Sequence, residues 1–332
     1  MLYSAWLYVA TFIYAFSLAP SANAQPGGSR PGGATPPGGG PMFRYHEVVQ
    51  SDGTVELVPA TVSLAVSNQA QIRIEGDSRI IESNGIPDHS TGAFPNRGNP
   101  NEISSQAYRY TVPAHPQRSG QFAPLFGPFG VCINGVPLDP GAAEFFHGDR
   151  GSGWQYEALS GAVDLGLDEN HAHVQPTGAY HYHAAPTLLL NEASLNPMQH
   201  SPLIGWAADG FPIYALYGWD ENENVRQMAS SHRLRAGARP TGENQPGGTY
   251  DGTFVADYEY IEGAASLDEC NGKQVVTPDF PDGTYAYFIT EEWPFIPRCY
   301  AGTPSADFSH GGPGLRGPTL VWPGSWGQIK KR

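Results

Sequence analysis

Charge and cysteine are both scarce in this chain. Asp, Glu, Lys and Arg together make up 15% of the 332 residues, and there are three cysteines. So few charges, in a chain rich in glycine, proline and aromatics, suit a loop-rich β protein rather than a helical bundle. Three cysteines are too few for a small disulfide-built scaffold. After residue 24 no stretch is apolar enough to span a bilayer, so stable membrane insertion is not expected. Several signatures are missing too: G-x-S-x-G, H-E-x-x-H, the phosphate-loop pattern and the N-x-S/T glycosylation acceptor. His46-Glu47 begins like a zincin helix but has no second histidine. Gly312 to Gly317 fits G-x-G-x-x-G, yet no strand leads into it and Pro313 and Pro318 prevent a helix, which makes it a turn. Basic residues are outnumbered 18 to 32, for a net charge of −14. That balance disfavours nucleic acid and anionic lipid as partners and is compatible with cations.

Glycine and proline are abundant at 41 and 31 residues, and aromatics reach 12%. With few helical patterns, this composition predicts a mainly β protein, a β-sandwich or related two-layer sheet with long loops and few short helices. The expected organisation is a signal peptide (1–24), a flexible Gly/Pro-rich linker (25–41) and one β-rich domain (42–332). The signal peptide is read from the apolar run Ala5 to Ala19 and from Ala22-Asn23-Ala24, the small-x-small pattern before a cleavage point at Gln25. No Lys or Arg precedes the apolar run, a departure from the usual pattern. The expected location is therefore secreted or periplasmic. An oxidising compartment favours one disulfide, and Cys270 with Cys299 is the expected pair because both bound one strand-rich segment. Cys132, in the run FGVCINGV, reads as a small buried residue.

Strands are predicted at Val55–Val66, Ala70–Ile74, Tyr108–Val112, Gly130–Ile133, Ala179–His183, Ile213–Leu216, Phe254–Ile261 and Thr284–Thr290. Short helices are predicted at Leu188–Leu195 and near Asn224–Ser231. The connections Asp77–Ser105 and Arg226–Tyr250 show little regular pattern, and the arginines of the second (Arg226, Arg233, Arg235, Arg239) read as solvated. Glu291 and Glu292 read as a solvated strand end. One echo stands out. Pro176 to His183 reads P-T-G-A-Y-H-Y-H and Pro281 to Phe288 reads P-D-G-T-Y-A-Y-F. Both look like a turn and a strand with tyrosines on alternate positions, so the shared tyrosines are explained by sheet packing and the histidines are what the first copy adds.

Four of the eleven histidines, His171, His173, His181 and His183, fall within thirteen residues. On strands, each His-x-His pair points to one face with Cα atoms about 6.5–7 Å apart. The P-T-G turn brings the two pairs opposite one another, so that imidazoles from both converge on one divalent ion, copper or zinc. Asp168, Glu169 and Asn170 stand just before the first pair as extra ligands or hydrogen-bond acceptors. A hydrogen-bonded polar cluster and a metal-free acid–base site are the alternatives to a metal site. A blue-copper centre is not expected, since it needs a cysteine ligand and no cysteine lies near the cluster in sequence.

The segment HVQPTGAYHYHAAP, with Tyr180-His181-Tyr182-His183 at its centre, resembles the signature of the YHYH-domain family of exported, mostly bacterial proteins. The flanking pieces SNGIPDH, GNPN, INGVPLDP, GWAADGFPIY, LDECNG and IPRC are similar to that family as well, over about residues 80–305. The resemblance implies export and adds His89 and Asp209 as possible site residues; it assigns no reaction. The leading expectation is a secreted or periplasmic metal-binding protein. Its rivals are a metal-dependent oxidase or hydrolase and a metal-free carbohydrate or surface-interaction module. GAYHYH is also similar to a strand of multicopper oxidases, but the other histidine motifs of those enzymes are missing.

Overall fold

Runs of β-branched and aromatic residues bounded by Gly, Pro, Asn and Asp become short strands throughout the computed structural model, which describes residues 46–49, 55–58 and 63–309. The expected signal peptide, the Gly/Pro-rich linker and the Gly312 to Gly317 turn lie outside the described residues. In chain order the strands begin with β1 (His46–Val49) and β2 (Val55–Val58), which pair, and with β3 (Ala70–Glu75), β4 (Ser78–Ser83) and β5 (Tyr108–Pro113). Next come β6 (Arg118–Pro124), β7 (Gly130–Cys132), β8 (Pro137–Leu138), β9 (Ala172–Val174) and β10 (Tyr180–Tyr182). The helix α1 (Thr187–Glu192) leads to β11 (Leu203–Ala207) and β12 (Pro212–Tyr214). Small ribbons follow from β13 (Tyr217–Trp219), β14 (Val225–Gln227), β15 (His232–Leu234), β16 (Thr241–Gly242), β17 (Gln245–Pro246) and β18 (Tyr258–Tyr260). Last are β19 (Gly272–Thr277), β20 (Phe280–Phe288) and β21 (Cys299–Gly302).

Eight strands form the main sheet in the order β19-β20-β12-β11-β7-β8-β10-β9. Its hydrogen-bonding pattern reads the same from either edge. Each half is an outer antiparallel hairpin (β9–β10 or β19–β20) joined in parallel to an inner hairpin (β7–β8 or β11–β12), and β7 meets β11 antiparallel at the centre. The register agrees residue by residue. Tyr180 pairs with Val174 and Tyr182 with Ala172; Tyr285 pairs with Gln274 and Tyr287 with Gly272. The inner turns correspond as well. Gly135 and Gly210 both adopt positive φ, and a Cβ at either would run into Ser83 or Pro113 of the three-stranded sheet β3-β4-β5.

That smaller sheet and the main one share one core. Alternation along β5 turns Tyr108, Tyr110 and Val112 inward, and these join Ile81, Val131, Cys132, Ile213 and Tyr287 in a single buried cluster. Phe308 closes it, stacked on Tyr110 at 4.2 Å between ring centres. The fold is mainly β with few short helices, as composition implied. Among the described residues no helix is long and apolar enough to cross a membrane. The Cys270–Cys299 disulfide is formed, with Cα atoms 5.1 Å apart, and Cys132 is a buried free thiol.

Several local expectations are corrected. Asn224–Ser231 is not helical; it contains β14, because Val225 to Gln227 finds a hydrogen-bonding partner in β13. Phe254–Ile261 begins as a 3-10 turn (Val255–Asp257) and only then becomes β18. The strand expected over Val55–Val66 is β2 at Val55–Val58, with none at residues 63–66. The connection Asp77–Ser105 contains β4, whose Ile80 and Ile81 are buried in mid-sheet. Pro281 to Gly283 does not form a turn but lies inside β20, since the β19–β20 ladder runs on to Thr277 and Phe280. Arg239 is not solvated either. It is buried on Asp257, with Nε 2.7 Å from Oδ1, and also pairs with Asp251.

Candidate metal centre

Strand alternation divides the β9–β10 hairpin into two chemistries. Tyr180 and Tyr182 enter the shared core, and the histidines between and after them take the opposite face. The turn closes with Gln175 N–H donating to Ala179 O and Gly178 N–H to Gln175 O, with Gly178 at positive φ. This register sets His173 directly across from His181. His183 follows two residues later on the same face.

The three imidazoles His173, His181 and His183 form an equilateral triangle, each ring centre 4.7 Å from the other two. One ligand nitrogen from each lies within 4.8 Å of the others. Two tautomers are set by backbone carbonyls, which only accept. His173 Nδ1–H donates to Leu165 O at 2.9 Å and His181 Nδ1–H to Ala179 O at 3.2 Å, so in both rings Nε2 carries the lone pair. His183 is 1% exposed and neither of its ring nitrogens has a hydrogen-bond partner among the described residues. Burial and, next, the charge of His181 push the His173 pKa down to about 3. Burial, then His173 and His181, hold His183 well below the usual imidazole range. Both rings are therefore neutral at ordinary pH, which is the form a metal requires.

The other expected residues sit elsewhere. His171 adopts φ 53°, leaves the strand alternation, and uses Nδ1 to reach Ala185 O at 2.8 Å. His89 Nε2 lies 2.6 Å from the Tyr182 hydroxyl and Asp209 Oδ2 accepts the Tyr287 hydroxyl at 2.6 Å, so both clamp core tyrosines. Asp168 spends its oxygens on the backbone N–H groups of Gly92, Asn170 and Ala172 and on Tyr180 Oη, which makes it a scaffold acceptor. Asn170 likewise accepts Leu188 N–H.

The structure adds groups that spacing did not reveal. Asp139, at the end of β8, acts electrostatically on both His173 and Arg298. Arg298 donates from Nη2 to Glu157 Oε1 at 3.3 Å, with side chains 14% and 3% exposed, and its charge also lowers the His183 pKa. Glu157 precedes Ala158, which packs with Leu165, the residue whose carbonyl holds His173. Arg298 belonged to the IPRC motif and could have been singled out there; Glu157 carried no signal in the sequence.

The second half of the sheet shows what this scaffold holds where the outer hairpin itself carries no histidine, although His200 packs on Tyr214 and Phe288 there. Opposite Lys273 stands Ala286, and Phe288 takes the place of His183. Ala286 and Phe288 pack with Tyr214, Met228 and Leu267 in a small apolar cluster. The supporting loops are otherwise alike: Asp268 Oδ1 accepts Cys270 and Gly272 N–H groups as Asp168 Oδ1 accepts those of Asn170 and Ala172. Asn271 repeats the positive φ of His171 at 54°.

Fold and site together define a mainly β protein whose central sheet carries a three-histidine cluster at one end, with His181 and His183 buried and His173 partly so. The chain belongs to the YHYH protein family, whose model matches residues 109–302. No curated protein and no solved structure matches it.

Proposed function

We propose that this is an exported metal-binding protein, secreted or periplasmic, in which His173, His181 and His183 hold one copper or zinc ion. The observation that carries the reading is His183, fully buried with both ring nitrogens unpaired beside two imidazoles whose lone pairs are already set. A neutral imidazole always presents one donor and one acceptor, and leaving such a group unsatisfied costs on the order of 1–3 kcal/mol. Packing alone does not require it, because Phe288 fills the matching position in the other half. An all-imidazole set suits copper or zinc, with copper the tighter on the Irving–Williams order. The carboxylate of Asp139 acts on His173 and supplies negative charge near an otherwise neutral ligand set. Export is supported by the disulfide and by the apolar N-terminal run with its Ala22-Asn23-Ala24 pattern.

The chain itself supplies the variant for the test. His181→Ala with His183→Phe copies the residues that the second hairpin carries in the same register. Wild-type protein should take up one equivalent of copper or zinc by elemental analysis and calorimetry. The double variant should take up none while keeping its circular dichroism and a melting temperature near that of the apoprotein. Equal metal affinity in both proteins would defeat the proposal.

A further inference from the structure

Three protein ligands would leave a coordination position of the metal open to another molecule. The chemistry of that molecule can be read from Arg298, whose charge acts on His183, and from its neighbour Trp293, on the reading of the triad given above. Arg298 Nε and Trp293 Nε1 are both buried N–H donors without an acceptor among the described residues. The two side chains are neighbours, with the guanidinium carbon 5.3 Å from the indole ring centre and Trp293 itself 8% exposed. Tyr258 stacks on Trp293 at 4.3 Å and 2° between ring planes, fixing the indole. Glu157 satisfies only part of the guanidinium, and its second oxygen is already taken by Leu159 N–H at 2.6 Å. Two donors, one of them positively charged, thus stand in the interior with nothing to receive their hydrogens.

Neither group accepts a hydrogen bond, so a complementary ligand must bring acceptor atoms rather than N–H groups. Negative charge makes it fitter still, since a guanidinium binds carboxylates and related oxyanions through planar, charge-assisted hydrogen bonds. A divalent metal held by neutral imidazoles keeps its full double charge, and an anion balances it. We propose that Arg298 and Trp293 form the anion-binding side of the metal centre, which takes a small carboxylate or comparable oxyanion as its exogenous ligand.

The test uses the full chain loaded with Cu(II), followed by visible and electron paramagnetic resonance spectra during titration with sodium acetate. Imidazole, a neutral ligand, serves as the control. Acetate should perturb the copper spectrum of the wild type. Trp293→Phe, which keeps the ring and removes the donor, should weaken acetate binding. The charge-neutral pair Arg298→Gln with Glu157→Gln should weaken it by at least about tenfold, the equivalent of one charged hydrogen bond. Imidazole affinity should be unchanged in both variants. If the wild type holds no copper, the metal reading itself fails. If copper is held but acetate leaves the spectrum unchanged, or binds both variants as tightly as the wild type, the anion inference alone is overturned. Parallel loss of acetate and imidazole binding overturns it too, because it would mean that the variants merely close or distort the site.

Discussion

At the scale of single residues, burial is what turns common side chains into a site. His173 and His183 are imidazoles that water would protonate near pH 6.5. Inside the protein the first is pushed down to about 3 by burial and by His181, and the second lies well below its usual range. The sign of the consequence follows from linkage. On acidification the unfolded chain takes up protons near pH 6.5 that the folded chain refuses, so this stability is intact above about 6.5 and is lost progressively as pH falls toward about 3. Each such histidine contributes a slope of about 1.4 kcal/mol per pH unit within the window. Denaturant titrations of metal-free protein at stepped pH should show this decline. The His181→Ala, His183→Phe variant, lacking the buried His183, should show a shallower one. Identical slopes would place the acid sensitivity in other groups.

At the scale of elements, the two outer hairpins separate scaffold from chemistry. In each, the first tyrosine hydroxyl donates to an aspartate that organises the preceding loop, Asp168 for Tyr180 and Asp268 for Tyr285. The second tyrosine is held by the inner turn of its own half, through Asn134 for Tyr182 and Asp209 for Tyr287. The tyrosines of the family signature are therefore fold-forming, and the histidines between them are the variable part. Tyr287→Phe removes one of the donors to Asp209, which keeps Gly302 N–H, and deprives Ala301 N–H of its acceptor, at 2.6 and 2.7 Å. Both partners stay buried, so the cost should be on the order of 1–3 kcal/mol in chemical denaturation. Metal stoichiometry should not change, since the substitution lies on the outer hairpin that carries no histidine. Loss of metal at full occupancy of the folded state would instead show that the two halves are coupled.

At the scale of the whole molecule, one sheet assembled from two like halves leaves the last described strand to be tied in separately. β21 pairs with β6 outside the main sheet, and Cys299 at its start is bonded to Cys270 just before β19. The bond spans 29 residues and also anchors Arg298, the neighbour of Cys299. Removing it by Cys270→Ser with Cys299→Ser should cost about 3–4 kcal/mol in the chain-entropy account of a loop this long. Equilibrium unfolding with and without reductant measures that directly. If Arg298 binds the anion, the same reduction should also weaken acetate binding in copper-loaded protein, through loss of the anchor.

What the sequence determined by itself was local. Strand periodicity places His181 and His183 on one face whatever the fold, and the Gly/Pro-bounded aromatic runs yield a mainly β architecture. The disulfide partners and the echo between Pro176–His183 and Pro281–Phe288 were legible for the same reason, being matters of spacing and composition. The tertiary structure decided the rest. Spacing left His171 and His173 equivalent, and only the ladder register and the left-handed backbone at His171 separate them. His89 and Asp209 share motifs with the site but reach the opposite face of the sheet, where the tyrosines lie. Glu157 and Arg298 are 141 residues apart and meet because the loops after β8 and after β20 fold over the same end of the sheet. Periodicity fixes which way a side chain points along its own strand. Register, sheet order and loop packing fix what it faces, and those depend on residues far away in the chain.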